Sequence, residues 1–467
     1  MTLNLADAGV IVLYFVLLLF FGYITRRTKT FTEFAVGKHS VPTMMVFASM
    51  AATIIGPGFS IGFTGKGWIT GYLFYYMVLA YALQVIVVGI YLAPKLSQHR
   101  DCNSLGDVMR KKYGLVAQFL TGIVSVGLCI GFTAVMGKVG GSVLHVVTGW
   151  SLGACLIIVT GVTALITFSG GVRATIATEG LQFSVKSIAV AILLLLAIAK
   201  APDGISSIAD RANEMTVQGF EGMNAWQVFG IVLSFMLGET LIPPYANRAL
   251  AAKNENASKA GFIAAGLFCA IWFAIVALLG VVAHSYLPPS TSPDDVFITV
   301  AQKVLPVGLF GLLLAAVIAI VMASQESVLN SSAVAFVRDI LGPIYSPTER
   351  VTLFLAKAAT LMFAAVAIYA AQFAPSIIDG LLVLYAIWAP TILLPLVLGL
   401  YVKETRPLAG CLSILAGGAT SFVWLSFLHE PYQLPAILVG LIASGLAYFG
   451  GHIAGSQAIV LKKGEVL

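Results

Sequence analysis

Two long apolar stretches of this chain, at matching places in its two halves, are interrupted where a membrane-crossing helix would run unbroken. The first interruption is Gly56-Pro57-Gly58, inside an apolar run from about Val41 to Phe63. The second extends from Gly238-Glu239-Thr240 to Pro243-Pro244, inside a run that starts near Gln227 and ends at Arg248. Glycine and proline cost about 1 and about 3 kcal/mol in a helix interior, and proline also removes a backbone donor. Hydrocarbon cannot satisfy the freed N–H and C=O groups, so such breaks persist only inside protein or beside a wet cavity. Paired breaks in corresponding halves point to the midplane binding site of a secondary carrier. The residues expected to line that site are Gly56, Pro57, Gly58 and Phe59 from the first break, and Glu239, Thr240 and Ile242 from the second. Tyr75, in the aromatic run Tyr72 to Tyr76 of the next span, is a further candidate.

Composition sets the class. The 467 residues are 59% hydrophobic and 10% charged, with a mean hydropathy of +0.97, against about 25% charged in soluble domains. Stretches long enough to cross about 30 Å of hydrocarbon number about thirteen. The expectation is an all-α polytopic membrane protein forming a single transmembrane domain. No loop is long enough for a catalytic module or a nucleic-acid reader, and no nucleophile motif, metal motif or phosphate-binding G-x-x-x-x-G-K-[ST] loop occurs. An enzyme, a nucleic-acid partner and a bound cofactor are therefore not expected. The five cysteines are scattered and give no disulfide framework.

The charge balance, 26 Lys and Arg against 20 Asp and Glu, is read as topology. Basic residues gather in alternate loops, as cytoplasmic loops do. One set holds Arg26, Arg27, Lys29, Lys38, Lys95, Arg100, Arg110, Lys111, Lys112 and Arg173, then Arg248, Lys253, Lys259, Arg338, Arg350, Lys403, Arg406, Lys462 and Lys463. The opposite set holds chiefly Lys66, Lys138, Lys200, Arg211 and Lys303. The N-terminus is expected outside and the C-terminus in the cytoplasm of a cell membrane.

Charges within the spans need a reason, because each costs at least about 2.5–3.5 kcal/mol at the bilayer centre. Glu179, Lys186, Glu239 and Glu326 are in that position, whereas Lys357 and Asp379 sit nearer span ends. Glu179, Gln182, Phe183 and Lys186 share a helical face, with Glu179 and Lys186 about 10 Å apart along the axis. Two readings stay open: a buried ion network that holds helices together, or groups that neutralise or replace a coupled cation. Ser324, Ser327 and Ser331 form one stripe of a later span, with Glu326 and Asn330 beside it. Hydroxyls of this kind are common glue between membrane helices, yet together with unwound carbonyls they also suit a dehydrated cation. A carboxylate at an unwound helix, as at Glu239, repels anionic solutes and suits an amine.

Several ordered segments resemble the sodium:solute symporter family. Gly170-Gly171-Val172-Arg173-Ala174-Thr175-Ile176-Ala177-Thr178-Glu179-Gly180-Leu181-Gln182 is similar to its G-G-x-x-A-V-x-x-T-D-x-x-Q run. Arg248 to Lys253 resembles its R-x-L-A-A-K stretch, Phe34 to Lys38 its F-x-x-G-R/K segment, and Met322 to Ser327 its M-S-S/T-x-D-S segment. The resemblance implies a five-plus-five inverted repeat like that of the leucine transporter. One leading helix and loop (1–41) would precede repeats at 42–199 and 226–402, with two trailing helices and a short tail at 408–467. It also implies a sodium site built from carbonyls of Ala52, Ile55 and Ile320 and from positions Ala323 and Ser324. A second cation site would use Glu179, Glu326 and Ser327. Three departures stand out. Ala323 lacks the usual hydroxyl, Glu179 is longer than the usual aspartate, and Lys186 replaces an apolar residue. In some transporters of related fold a lysine ammonium stands in for sodium. Ile242 takes the place of the tryptophan found in choline carriers. The implied function is cation-coupled symport of a small organic solute by alternating access, with Na⁺ as the coupling ion and an amine or amino-acid-like substrate. Proton coupling through Lys186 is the alternative, and a non-transporting solute sensor a more distant one.

Overall fold

The computed structural model describes residues 4–25, 28–345, 347–374 and 377–464. Arg26 and Arg27, and the side chains of Lys462 and Lys463, lie outside the described part. Its secondary structure is helical, and among the described residues the one β contact is an isolated parallel bridge between Val41 and Ala252. In chain order the main helices are α1 (Leu5–Thr25), α2 (Thr43–Ile54), α3 (Phe63–Thr70), α4 (Leu73–Ser97), α5 (Leu115–Thr148), α6 (Leu152–Ala199), α7 (Gly204–Glu221) and α8 (Ala225–Leu237). They continue as α9 (Pro243–Ala251), α10 (Glu255–Ala283), α11 (Leu309–Leu341), α12 (Glu349–Ala370), α13 (Ile378–Tyr401), α14 (Pro407–Ser426) and α15 (Ala436–Gly464).

Ten described helices are long and apolar enough to cross a membrane, or eleven with the bent pair around the first break. The expected thirteen is not reached on that measure, for two local reasons. The 48-residue α6 runs on through Gly171, whose φ of 56° and ψ of −147° are not helical. A Cβ there would also lie 2.6 Å from the Phe34 carbonyl, so only glycine fits. The apolar part of the second broken segment, α8, has 13 residues and is too short alone.

Both breaks lie where the sequence puts them. α2 stops at Ile54, a π turn covers Gly58–Gly62, and α3 leaves at 65° to α2. α8 stops at Leu237 and α9 starts at Pro243, with Leu241 held at φ 49° between them. Proline at the first helical position of α9 loses nothing, because that N–H has no intrahelical acceptor. The two broken segments are tied at one end of the bundle: Val41 N–H donates to Ala251 O at 3.0 Å and Lys253 N–H to Val41 O at 2.9 Å. Just before this, a Thr30/Glu33 capping box starts the short helix Phe31–Val36. The Lys38 ammonium and the Lys29 N–H hold the Glu33 carboxyl down at about 2.

α11 is the hub, enclosed by α6, α5, α1, α12 and α9. Ser324, Gln325, Glu326, Ser327, Asn330 and Ser331 on it are all buried. α10 packs along α2, α3 and α4, and towards its C-terminal end the helices touch through glycines. A Cβ on Gly280 would fall on the Thr64 carbonyl and 2.6 Å from Trp68 N. Gly280→Ala should therefore destabilise the protein by about 1–3 kcal/mol, the usual range for overpacking. Thermal melting of the purified protein checks this, with Gly161→Ala, whose Cβ meets nothing within 4 Å, expected to be near neutral.

Candidate functional site

At the first break the helix ends and leaves carbonyls without intrahelical partners. Those of Ala52, Thr53 and Ile55 find side-chain donors. Lys186 Nζ on α6 donates to Ala52 O at 2.7 Å and reaches Ile55 O at 3.4 Å. Ser324 Oγ on α11 donates to Thr53 O at 2.8 Å, and Ser60 Oγ to Ile55 O at 3.1 Å. Lys186 is fully buried. The ammonium thus occupies the carbonyl pair that the sequence resemblance gives to sodium. Ser324 and the Ile320 carbonyl belong to the same cluster, with Ser324 Oγ 3.4 Å from Ile320 O. Ala323 is buried there and supplies no oxygen ligand from its side chain.

A second buried cation lies nearby. Arg248 is fully enclosed and its Nη2 meets Glu179 Oε1 at 2.7 Å. Its Nε donates to Ser49 Oγ at 2.9 Å and its Nη2 to Ser327 Oγ at 2.5 Å. Ser49 and Ser327 each donate a short hydrogen bond to Glu179, and Thr53 Oγ1 lies 2.9 Å from Ser327 Oγ. Among the described residues Arg248 Nη1 has no hydrogen-bond partner. This corrects the reading of Arg248 as a loop charge: it comes from α9, inside the protein, and bridges α2, α6 and α11. Of the expected group of Glu179, Glu326 and Ser327, Ser327 hydrogen-bonds Glu179 directly and Glu326 does not. Glu326 instead accepts from Thr178 Oγ1 at 2.6 Å and Gln182 Nε2 at 3.0 Å.

The second break carries a carboxylate in an aromatic shell. Glu239 accepts hydrogen bonds from three phenols: Tyr81 on α4, Tyr245 on α9 at 2.5 Å and Tyr385 on α13 at 2.5 Å. Gln84 Nε2 donates to Thr240 Oγ1 at 2.7 Å and Trp388 Nε1 to Thr240 O at 3.0 Å, so the unwound turn is held on both sides. Phe59, from the first break, stacks 4.6 Å from Tyr81 and 5.0 Å from Phe273, measured between ring centroids.

Gly56, Gly58, Phe59, Glu239 and Ile242 together line a small void between the breaks, of about 20 Å³. That is room for about one water, so the site is shown closed. Pro57 is buried in the same turn. Tyr75 is not brought to it. Tyr75 packs with Tyr72 and Tyr76 at the outer end of α4, at 5.9 and 5.7 Å, and Tyr81 faces the carboxylate instead. The signal for Tyr81, Tyr245 and Tyr385 was available: a phenol in the middle of an apolar span needs a partner, and the second break supplies the one nearby acid.

Comparison with known proteins bears on the family and the fold. The sodium:solute symporter family profile matches residues 34–417. The chain is 27% identical over 469 residues to the sodium/pantothenate symporter of Haemophilus influenzae, covering 94% of each. It is 26% identical to the sodium/pantothenate symporter of Escherichia coli, covering 93% of this chain and 94% of that one. Identity to sodium/glucose cotransporter 4 of Danio rerio is 24%, over 73% of this chain and 58% of the longer relative. Its fold matches that of a Na⁺-coupled sialic acid symporter in a substrate-bound outward-open state, with a TM-score of 0.83 at 18% identity over 97% of this chain and 98% of that one.

Removing one partner of a buried ion pair is far more damaging than removing both. Arg248→Met is expected to destabilise the protein by about 3–5 kcal/mol, and Arg248→Met with Glu179→Met to recover most of that loss. Chemical or thermal denaturation in detergent reads the difference. Equal losses in the single and double variants would contradict the pairing.

Proposed function

We propose that this chain, which belongs to the sodium:solute symporter family, carries a small amine-bearing solute whose positive group is recognised by Glu239. The chain is a membrane transporter and not an enzyme, and it performs Na⁺-coupled symport of a small solute. The observation behind the substrate class is the buried Glu239 carboxylate at the unwound turn, hydrogen-bonded by three phenols and, among the described residues, ion-paired with no lysine or arginine. An ionised carboxylate offers about four acceptor positions. Three are filled by phenols, which leaves one for an N–H of the solute. Gly56, Pro57, Gly58, Phe59, Thr240 and Ile242 would surround the rest of it, with residues 42–199 and 226–402 as the two opposed repeats. The distribution of basic residues among the loops supports an N-terminus outside and a C-terminus in the cytoplasm.

The coupling ion has to be reconciled with Lys186. In our reading, Na⁺ enters the cluster of Ala52, Ile55, Ile320 and Ser324 only as the ammonium withdraws or loses its proton. Either cation can answer the same carbonyls, and they do so in turn. Glu179, Ser327 and Arg248 then form a fixed internal ion pair in place of a second exchangeable cation. A second reading rests on the same 2.7 Å contact between Lys186 and Ala52 O: Lys186 itself carries a coupling proton, and Na⁺ binds away from these carbonyls.

Uptake into proteoliposomes under separately imposed Na⁺ and pH gradients separates the two. Sodium–ammonium exchange predicts accumulation driven by Na⁺, stronger at high pH. It also predicts that Lys186→Met keeps Na⁺-driven transport but loses the pH dependence. Accumulation driven by pH alone, abolished in Lys186→Met, would establish the proton reading instead. For the solute, Glu239→Gln is expected to reduce competition by amines at least about tenfold relative to neutral analogues, the equivalent of ~1.4 kcal/mol. Unchanged competition would remove the amine assignment.

A further inference from the structure

We infer that the cavity beside the outer half of the second broken helix is a separate receiving site for small organic cations, from which they pass to Glu239. This rests on the amine reading of Glu239 for its destination, though not for its own detection. The cavity has a volume of about 650 Å³, within the range of about 300–1,000 Å³ typical of small-molecule sites. It follows α8 from Trp226 to Ser234, eight residues or about 12 Å along the helix. Leu382 and Ala386 of α13 form its opposite wall, and the loop between α14 and α15 supplies its rim.

Three observations give it a chemical preference. Its lining contains one carboxylate, Glu430, and no lysine or arginine. Glu430 is fixed there because its Oε1 accepts the Ala436 N–H at 2.8 Å, which caps the start of α15. Trp226 lines the same mouth, and an indole face attracts an organic cation. A carboxylate beside an indole, with His429 the one basic side chain in the lining and no lysine or arginine opposite, favours a cation over an anion of the same size.

The cavity also adjoins the inner site through a single layer. Ala386 lines the cavity, and its neighbour Tyr385 donates to Glu239 at 2.5 Å. The rings of Tyr385 and Phe235 meet edge to face at 6.3 Å, both buried. Gly238 lets this partition close, since a Cβ there would lie 2.5 Å from Tyr385 Cβ. A cation leaving Glu430 therefore reaches Glu239 by taking the carboxylate position that Tyr385 holds. Tyr385 is in this account both a partner of Glu239 and the barrier before it.

The test needs no identified solute. Ser234→Cys places a thiol at the cavity floor, and intact cells expressing the full chain are treated from outside with a cationic aminoethyl or an anionic sulfonatoethyl methanethiosulfonate. The unmodified chain serves as the blank for its own five cysteines. The expected result is modification of Ser234→Cys in which the cationic reagent is favoured beyond its advantage on a simple thiol in solution. That excess should be about fivefold, the order expected for one unit charge acting over a few ångströms near water. Adding Glu430→Gln should remove the excess while leaving the rate with neutral methyl methanethiosulfonate unchanged, which shows the cavity is still formed. No modification from outside, or a charge preference that Glu430→Gln does not alter, would overturn the proposal. Because labelling involves no transported solute, a failed amine assignment at Glu239 leaves this result standing, and failure here leaves the Glu239 competition test intact.

Discussion

Opening a helix inside a membrane leaves backbone carbonyls that the lipid cannot solvate, and the centre of this fold is organised around answering them. At the first break the answer comes from three side chains on three elements. Lys186 meets Ala52 and Ile55, Ser324 meets Thr53, and Ser60 meets Ile55 from within the turn. The arrangement ties α6 and α11 to the broken helix through the same atoms that the family resemblance assigns to the coupling ion. In the exchange reading, stability and ion binding compete for one set of oxygens. A carrier gains from this: a site filled by its own ammonium stays closed to water without the ion, and need not collapse to do so.

The second buried cation has a different role. Arg248 comes from α9, beyond the second break, yet its partners Glu179, Ser49 and Ser327 belong to α6, α2 and α11. One guanidinium therefore couples the second broken helix to the first and to the central helix. Its planar set of donors suits that task, since it holds several acceptors at once and stays charged. Together with the backbone pairing of Val41 with Ala251 and Lys253, it fixes the two broken segments relative to each other on one side of the site. On the other side Phe59 of the first meets Phe235 of the second at 5.9 Å between ring centroids, beside the phenols that surround Glu239.

Much of this was legible in the sequence because the penalties are large. Glycine and proline at residues 56–58 and 238–244 located both breaks, and Glu239 stood out as an acid no apolar span tolerates without cause. The resemblance also drew attention to the carbonyls of Ala52 and Ile55 and to Lys186 as a departure, and the structure brings these three together. Other parts were hidden by the averaging that sequence rules involve. Counting basic residues by loop treated Arg248 as surface charge, although it follows a buried turn of α9. Glu326 and Ser327 are adjacent in sequence and were grouped, but neighbours on a helix point about 100° apart. Ser327 thus faces Glu179, and Glu326 faces Gln182 and Thr178. Tyr75 was singled out from an aromatic run in which Tyr72, Tyr75 and Tyr76 pack with each other, and Tyr81, beyond that run, was not. The choice among them depends on which helix face meets Glu239, a tertiary fact that spacing alone does not carry.

The central claim is that Lys186 and Na⁺ take turns on one set of carbonyls. The most direct measurement is melting of the purified protein in NaCl and in KCl at matched ionic strength, at about pH 6 and pH 8, for the unmodified chain and for Lys186→Met. An ion that binds only the folded state raises its stability by RT ln(1 + [L]/Kd). Exchange predicts a Na⁺-specific rise that is small at pH 6, larger at pH 8, and independent of pH in Lys186→Met. A Na⁺ effect of equal size at both pH values in both proteins would contradict it, and would place the sodium site away from Lys186.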